Sequence, residues 1–224
     1  TRTAFWLEPA GWERSIQEFL GGDYYLGKTN FLDSDAGSAI TPLAGMLLIG
    51  ASDLGWVRDD LGKTFLQDQY LYATGLMATK AVTDLSKGLF RRRRPMAAMA
   101  PELMPPGTTY RYAHQSFVSG HTSSSFFAMA FTNMHLRALM RAEMAADEYR
   151  SWRWLPPTVL FSWASYVGWS RIHAYKHYIS DVIAGALVGW LVAELFYHFG
   201  DVAQQQGTSR AGSAASVFGL TITF

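Results

Sequence analysis

The chain has 224 residues, enough for one domain with a buried core, and a formal net charge of +1, so any electrostatic function must be local. It contains no cysteine, which excludes a disulfide framework and a thiolate metal site. Hydrophobic residues make up 49%, but charged residues still reach 17% and mean hydropathy is only +0.02, a balance less apolar than a polytopic membrane protein would show.

In chain order, residue 1 is Thr and no signal-peptide pattern is visible, which points to a processed export product or a trimmed chain. Trp6, Leu7, Trp12, Ile16, Phe19 and Leu20 alternate with Glu8, Arg14 and Glu18. That pattern predicts a short amphipathic helix closed by Gly21-Gly22, packed on the domain in preference to lying in a membrane interface. Gly, Asp, Asn and Ser dominate from 21 to 38, a loop. Helical patterns follow over 39–54 and 64–89.

The second of these helices runs into Lys87-Gly-Leu-Phe-Arg-Arg-Arg-Arg94-Pro95, where the proline cannot continue it. Arg91, Arg92 and Arg93 read as a solvated face or a surface-binding patch. Residues 96–118 are proline-rich and without period, a long loop of the kind that carries function. It delivers the chain to Ser119-Gly120-His121, at the head of a helix reaching about residue 145. Ser119 is a candidate N-cap, and free backbone N–H groups at such a start favour phosphate. A polar connection over 147–153 precedes a helix opened by Pro156-Pro157, which ends at Ser170-Arg171. His177 and Asp181 would share one face at i, i+4 if that stretch were helical. A last helix extends to about Phe199, with Gly185 and Gly189 spaced for close packing, before a tail whose end alternates from Phe218 to Phe224 like a strand.

A spanning helix needs roughly 20 mostly apolar residues. Each candidate window fails on length or polarity, through Pro, Gly or charge or, over 113–136, through Ser, Thr and His, so these are read as buried helices of a soluble bundle, with an intramembrane placement as the lesser alternative. Architecture is thus all-α: a helical bundle of about six helices with long connecting loops and a short strand-like C-terminal tail. Three parts follow: an N-terminal amphipathic segment and loop over 1–35, a helical core over 36–200, and a tail over 201–224.

Lys87, Arg94, Ser119, Gly120, His121, Arg171, His177 and Asp181 together supply fixed positive charge, a hydroxyl, backbone donors and two imidazoles, a set suited to a tetrahedral oxyanion. Only Asp181 offers a carboxylate among these motifs, so catalysis without metal is expected. His114, His135, His173 and His198 are read as structural, and Trp163, Trp169 and Tyr175 as core.

The order Lys-x6-Arg-Pro, Ser-Gly-His, Ser-Arg-x5-His-x3-Asp resembles the phosphatidic acid phosphatase type 2 superfamily, which also takes in class A acid phosphatases and vanadium haloperoxidases. The match runs from Lys87 to Asp181 and departs from the usual pattern at Val118, where the family has Pro before Ser-Gly-His. The resemblance implies that His177 is the nucleophile forming a phosphohistidine, with Asp181 fixing its tautomer. It makes His121 the general acid and later the base. Lys87, Arg94, Ser119, Gly120 and Arg171 would bind the phosphate oxygens, and loss of one such donor would cost about 2.7–4 kcal/mol. No cofactor is implied, although vanadate fits the same oxyanion site.

His177-Tyr-Ile-Ser-Asp181-Val-Ile-Ala-Gly185 looks like the lipid phosphatase branch. The expected substrate is therefore lipid-linked: a phospholipid, an isoprenyl diphosphate or lipid A. A non-specific periplasmic acid phosphatase and a vanadium haloperoxidase are the alternatives. Expected partners are this phosphorylated lipid and a membrane touched peripherally through Arg91–Arg93 and the aromatic N-terminus, with no nucleic acid. The expected location is the bacterial periplasm.

Overall fold

The computed structural model describes residues 8–22, 35–56, 61–99, 104 and 107–209, and these contain helices and no strand. The helices are α1 (Gly11–Leu20), α2 (Asp35–Trp56), α3 (Leu61–Phe90), α4 (Pro95–Met99), α5 (Tyr110–Ala113), α6 (Gly120–Glu143), α7 (Ala146–Trp152), α8 (Leu155–His173) and α9 (Ile179–Ser209). Six are long and three are short pieces inside the connections. The all-α bundle expected from the periodicity is therefore present, while the alternating segment over 218–224 lies outside the described residues.

Helix α6 is the hub, packed against α9, α2, α8 and α3. Its sequence explains why: Phe127, Ala128, Met129, Ala130 and Phe131 are buried all round, so no face remains for solvent. Tyr72 of α3 meets Phe127 and Phe131 at centroid distances of 5.4 and 5.5 Å, the second pair edge-on, and its hydroxyl donates to the Pro42 carbonyl of α2 at 2.7 Å. Truncating one such aromatic to alanine typically costs about 3–5 kcal/mol. The α6–α9 crossing is close because Gly185 and Gly189 face it. A Cβ on Gly189 would sit 2.1 Å from the Ser123 carbonyl oxygen, and one on Gly185 would sit 2.7 Å from that of Ser119.

A polar tie joins three helices. His135 of α6 places Nε2 2.9 Å from Asp53 of α2 and Nδ1 3.7 Å from Asp68 of α3. One ligand atom from each of the three side chains lies within 4.8 Å of the others, so the group both bridges the helices and forms a compact cluster of an imidazole and two carboxylates.

Several boundaries differ from the sequence reading. Residues 146–152 form α7 despite having no buried residue, because Asp147 and Glu148 favour its first turn without any apolar period. The stretch from Ser170 to Asp181 is not one helix: α8 ends at His173, and Tyr175 takes a left-handed φ of 53° before α9 begins. The last helix continues to Ser209, past residue 200.

The outer surface is the larger correction. Ile179–Gly200 is long and apolar enough to cross a membrane, with a window hydropathy of 1.8 of which only 22% is buried. The reading from sequence stopped this window at Asp181 and Glu194. Asp181 is turned wholly into the protein, however, so its charge does not face outward. Ile183, Leu187, Trp190, Leu191, Leu195 and Phe199 form one exposed stripe on α9, and Val159, Trp163, Tyr166 and Trp169 form another on α8. Trp163 and Trp169 are thus surface residues and not core. Tyr175 does pack inward, against Met96, Ala97 and Ala113.

Candidate active site

Three segments meet at one end of the bundle. The first is the C-terminus of α3. Thr83, Asp84 and Lys87 line a cavity there; Lys87 is ion-paired with the exposed Asp84 at 3.7 Å, and its ammonium approaches Gly120 so closely that a Cβ there would lie 3.0 Å from Nζ. Arg91 then adopts a left-handed φ of 46°, ending the helix. The chain leaves extended, as the residue before a proline requires, and an extended chain alternates its side chains. Arg91 and Arg93 point outward while Arg92 and Arg94 are buried.

Arg94 is fixed from several sides. Its backbone N–H donates to the Ala113 carbonyl at 2.8 Å, Nε donates to the Tyr112 carbonyl at 2.9 Å and Nη1 to the Lys176 carbonyl at 3.1 Å. The guanidinium lies 4.2 Å from the Tyr112 ring centroid. Nη1 is 3.4 Å from Nε2 of His177.

The second segment is the head of α6. Ser119 occupies the N-cap position, but its hydroxyl makes no cap bond; it accepts instead from Thr122 Oγ1 at 2.8 Å. Its backbone N–H donates to the Asp181 carbonyl at 3.0 Å, which joins the Ser-Gly-His turn to α9. Gly120 and His121 face a cavity of about 580 Å³ shared with Lys87. The far wall is apolar, formed by Leu43 and Met46 of α2 and Leu76 and Met77 of α3.

The third segment is the α8–α9 turn. Arg171 is fully buried, with Nε and Nη2 both donating to Ser170 Oγ, and its carbonyl accepts the N–H groups of Lys176 and His177. His177 therefore stands in a turn and not on a helix. Its Nδ1 lies 2.6 Å from the Ser116 carbonyl, a group that only accepts, so Nδ1 carries the proton and Nε2 the lone pair. Burial pushes the ring down to about 3, against a smaller opposing pull from Asp181 and with Arg94 reinforcing the neutral form. Asp181 lies 3.8 Å from Nδ1, too far for a hydrogen bond. Its Oδ2 accepts from Ser116 Oγ at 2.5 Å and from the Tyr178 N–H at 2.9 Å, so it holds the same Ser116 that holds the ring.

The motif residues therefore fall into two adjoining groups. Lys87, Gly120 and His121 line the cavity, whereas Arg94, His177 and Asp181 form a separate buried group linked through Ser116 and do not line it, and Ser119 and Arg171 are buried as well. Sequence reasoning missed Arg92, Glu13, Ser116 and Ser180. Arg92 was placed with a surface patch, but it is 5% exposed and bound to Asp181, Ser180 and Glu13. A partial signal was available, since the residue before a proline favours extended backbone and an extended chain alternates its side chains.

Comparison with known proteins bears on the family and the fold. A family model described as the PAP2 superfamily matches residues 69–204, more than half of the chain. Phospholipid phosphatase 2 of Homo sapiens is 32% identical over 146 residues, covering 54% of this chain and 46% of that protein. Phospholipid phosphatase 1 of Rattus norvegicus is 31% identical over 141 residues, covering 54% and 48%. The chain thus spans about half the length of the curated relatives it matches. Among solved structures, a transmembrane PAP2-type phosphatidylglycerolphosphate phosphatase from Bacillus subtilis has a TM-score of 0.53 at 20% identity, over 88% of this chain and 80% of that one, a likeness of fold.

Proposed function

Because this chain belongs to the PAP2 superfamily, we propose that it is a phosphatase acting on a lipid-linked phosphomonoester or diphosphate through a phosphohistidine, without a metal ion. The observation that carries the lipid reading is the cavity: one end presents Lys87, Gly120 and His121, and the other presents Leu43, Met46, Leu76 and Met77. A phosphate head with an apolar tail fits both ends at once, whereas a soluble ester would leave the apolar end wetted.

The reaction follows from the tautomer. Nε2 of His177 attacks phosphorus, the N–P bond forms as the bond to the leaving oxygen breaks, and His121 protonates that oxygen. Water then attacks the phosphohistidine, giving its proton to His121, and inorganic phosphate leaves with Nε2 restored. Lys87 and Arg94 offset the charge on the equatorial oxygens, and the Ser116 carbonyl keeps Nδ1 protonated throughout. Of the two carboxylates near the site, Asp181 is engaged by Arg92, Ser116 and Tyr178, and Asp84 in the cavity lining is paired with Lys80 and Lys87, which supports the metal-free reading. Vanadate is expected to compete for the same site.

Phosphate release from phosphatidic acid, phosphatidylglycerol phosphate, undecaprenyl diphosphate, lipid A and nitrophenyl phosphate, each with and without chelator, tests this. Lipid substrates are expected to exceed the soluble ester, chelator to have no effect, and His177→Ala to abolish turnover. Equal release by wild type and H177A would overturn the mechanism, and preference for the soluble ester would overturn the lipid assignment.

A further inference from the structure

Beyond the motif residues, the site contains a second charged layer. Arg92 spans two carboxylates: Nη1 donates to Asp181 Oδ1 at 2.6 Å and to Ser180 Oγ at 2.7 Å, and Nη2 donates to Glu13 Oε2 at 2.7 Å. Ser180 Oγ in turn donates to Glu13 Oε1, which closes a ring of hydrogen bonds. Glu13 and Arg92 are 4% and 5% exposed and Asp181 is fully buried, so solvent screens none of the three. Glu13 comes from α1, some 80 residues before Arg92 in the chain, and its Oε2 also accepts from the Ala10 N–H at 2.9 Å. Helix α1 and the residues just after it are anchored to the C-terminal end of α8 independently, by Gln17 Nε2 donating to the Ile172 carbonyl at 2.6 Å and by the Gly22 N–H donating to the His173 carbonyl.

The charge balance gives this layer a role. Alone, Arg92 would neutralise Asp181 and remove the negative charge that supports a positively charged His177 ring. With Glu13 taking the opposite edge of the guanidinium, the buried trio keeps a net charge of −1. We propose that Glu13 and Arg92 are positioning residues for the phosphatase reaction, Arg92 aligning Asp181 and Glu13 preserving its negative charge, so that α1 is a part of the active centre. The proposal rests on the phosphohistidine reading above. It acts on the chemical step, because neither residue faces the cavity that receives substrate.

The test uses the full chain in detergent micelles with Glu13→Gln, Glu13→Asp, Arg92→Lys and, as a surface control on the same helix, Trp12→Ala. E13Q and R92K are expected to lower kcat by about ten- to hundred-fold, with KM and the inhibition constant for vanadate within twofold of wild type; E13D is expected to recover part of the loss. The His177 Nδ1–H proton resonance is expected to move in E13Q and to stay in place in W12A. That readout needs no turnover, so it reports on the positioning layer even if wild type releases no phosphate, an outcome that would sink the functional reading alone. Wild-type kcat in E13Q with an unmoved resonance overturns the proposal. So does parallel loss of kcat, vanadate affinity and melting temperature, which is the pattern of a merely structural contact.

Discussion

His177 shows how one buried side chain links protonation to stability. Above about pH 6.5 the ring is neutral in both folded and unfolded chains and makes no difference. Below that, the unfolded chain takes up a proton that the folded site refuses, because burial has pushed the folded ring down to about 3. Burial of this ring therefore costs no stability above pH 6.5, and its cost grows as pH drops toward 3. We expect the melting temperature of wild type to fall more steeply between pH 7 and pH 4 than that of His177→Asn, which lacks the titrating ring. A difference between the two proteins that stays constant over that range would refute the assignment. The sequence singled out His177 through the motif resemblance, which is where its proposed role as nucleophile comes from. Its support was not legible there: Ser116 lies 61 positions away, and no local pattern announces that its carbonyl receives Nδ1. The motif spacing pointed to Asp181 as the ring's direct holder, whereas the geometry routes that role through Ser116.

At the scale of elements, the α6–α9 crossing determines where the Ser119–His121 turn sits relative to His177. The two glycines on α9 were readable as a close-packing pair, and the contact they make is between backbones. A Cβ at Gly189 would fall 2.1 Å from the Ser123 carbonyl and 2.7 Å from the Phe127 nitrogen, neither of which can swing aside as a side chain can. Gly189→Ala is expected to force the helices apart at a cost of about 1–3 kcal/mol or more. Gly88, near the end of α3, has nothing within 4 Å of an added Cβ. Gly88→Ala should instead gain about 0.5–1 kcal/mol from helix propensity. Melting temperatures of the two variants should move in opposite directions, and a G189A protein that melts like wild type would show that the crossing is looser than described. Long helices were legible because their apolar residues recur with a helical period or fill every face. The break at Tyr175 was not, since a left-handed tyrosine carries no sequence signature, and so the i, i+4 placing of His177 and Asp181 failed although the two residues do meet.

The whole molecule inverts the usual arrangement of charge. Arg92, Arg94, Arg171, Glu13, Asp53 and Asp181 are all at most 7% exposed, while apolar side chains on α2, α3, α8 and α9 face outward. Composition misleads for this reason: the 17% of charged residues that argued for a soluble bundle includes charges spent inside the protein on the site and its supports. Leu43, Leu47 and Leu48 on α2 and Leu66, Met77, Leu85 and Leu89 on α3 continue the outward apolar face of α8 and α9, a surface far beyond what a water-exposed monomer normally carries. Such a surface would be favourable in a bilayer, which Ile179–Gly200 is long and apolar enough to cross, and with the lipid substrate proposed above the apolar cavity wall of α2 and α3 would open toward that lipid. Alkaline carbonate, which strips proteins held at a membrane surface by charge, is expected to leave this chain in the membrane pellet, and detergent to release it. Leu191→Arg, in the middle of the exposed α9 stripe, should lower the membrane-integrated fraction in line with an insertion cost of about 2.5–3.5 kcal/mol. Tyr110→Arg, at an exposed position on α5, should leave that fraction unchanged. Release by carbonate, or equal integration of the L191R and wild-type chains, would return the protein to a surface-bound state and remove the lateral route by which the cavity is filled.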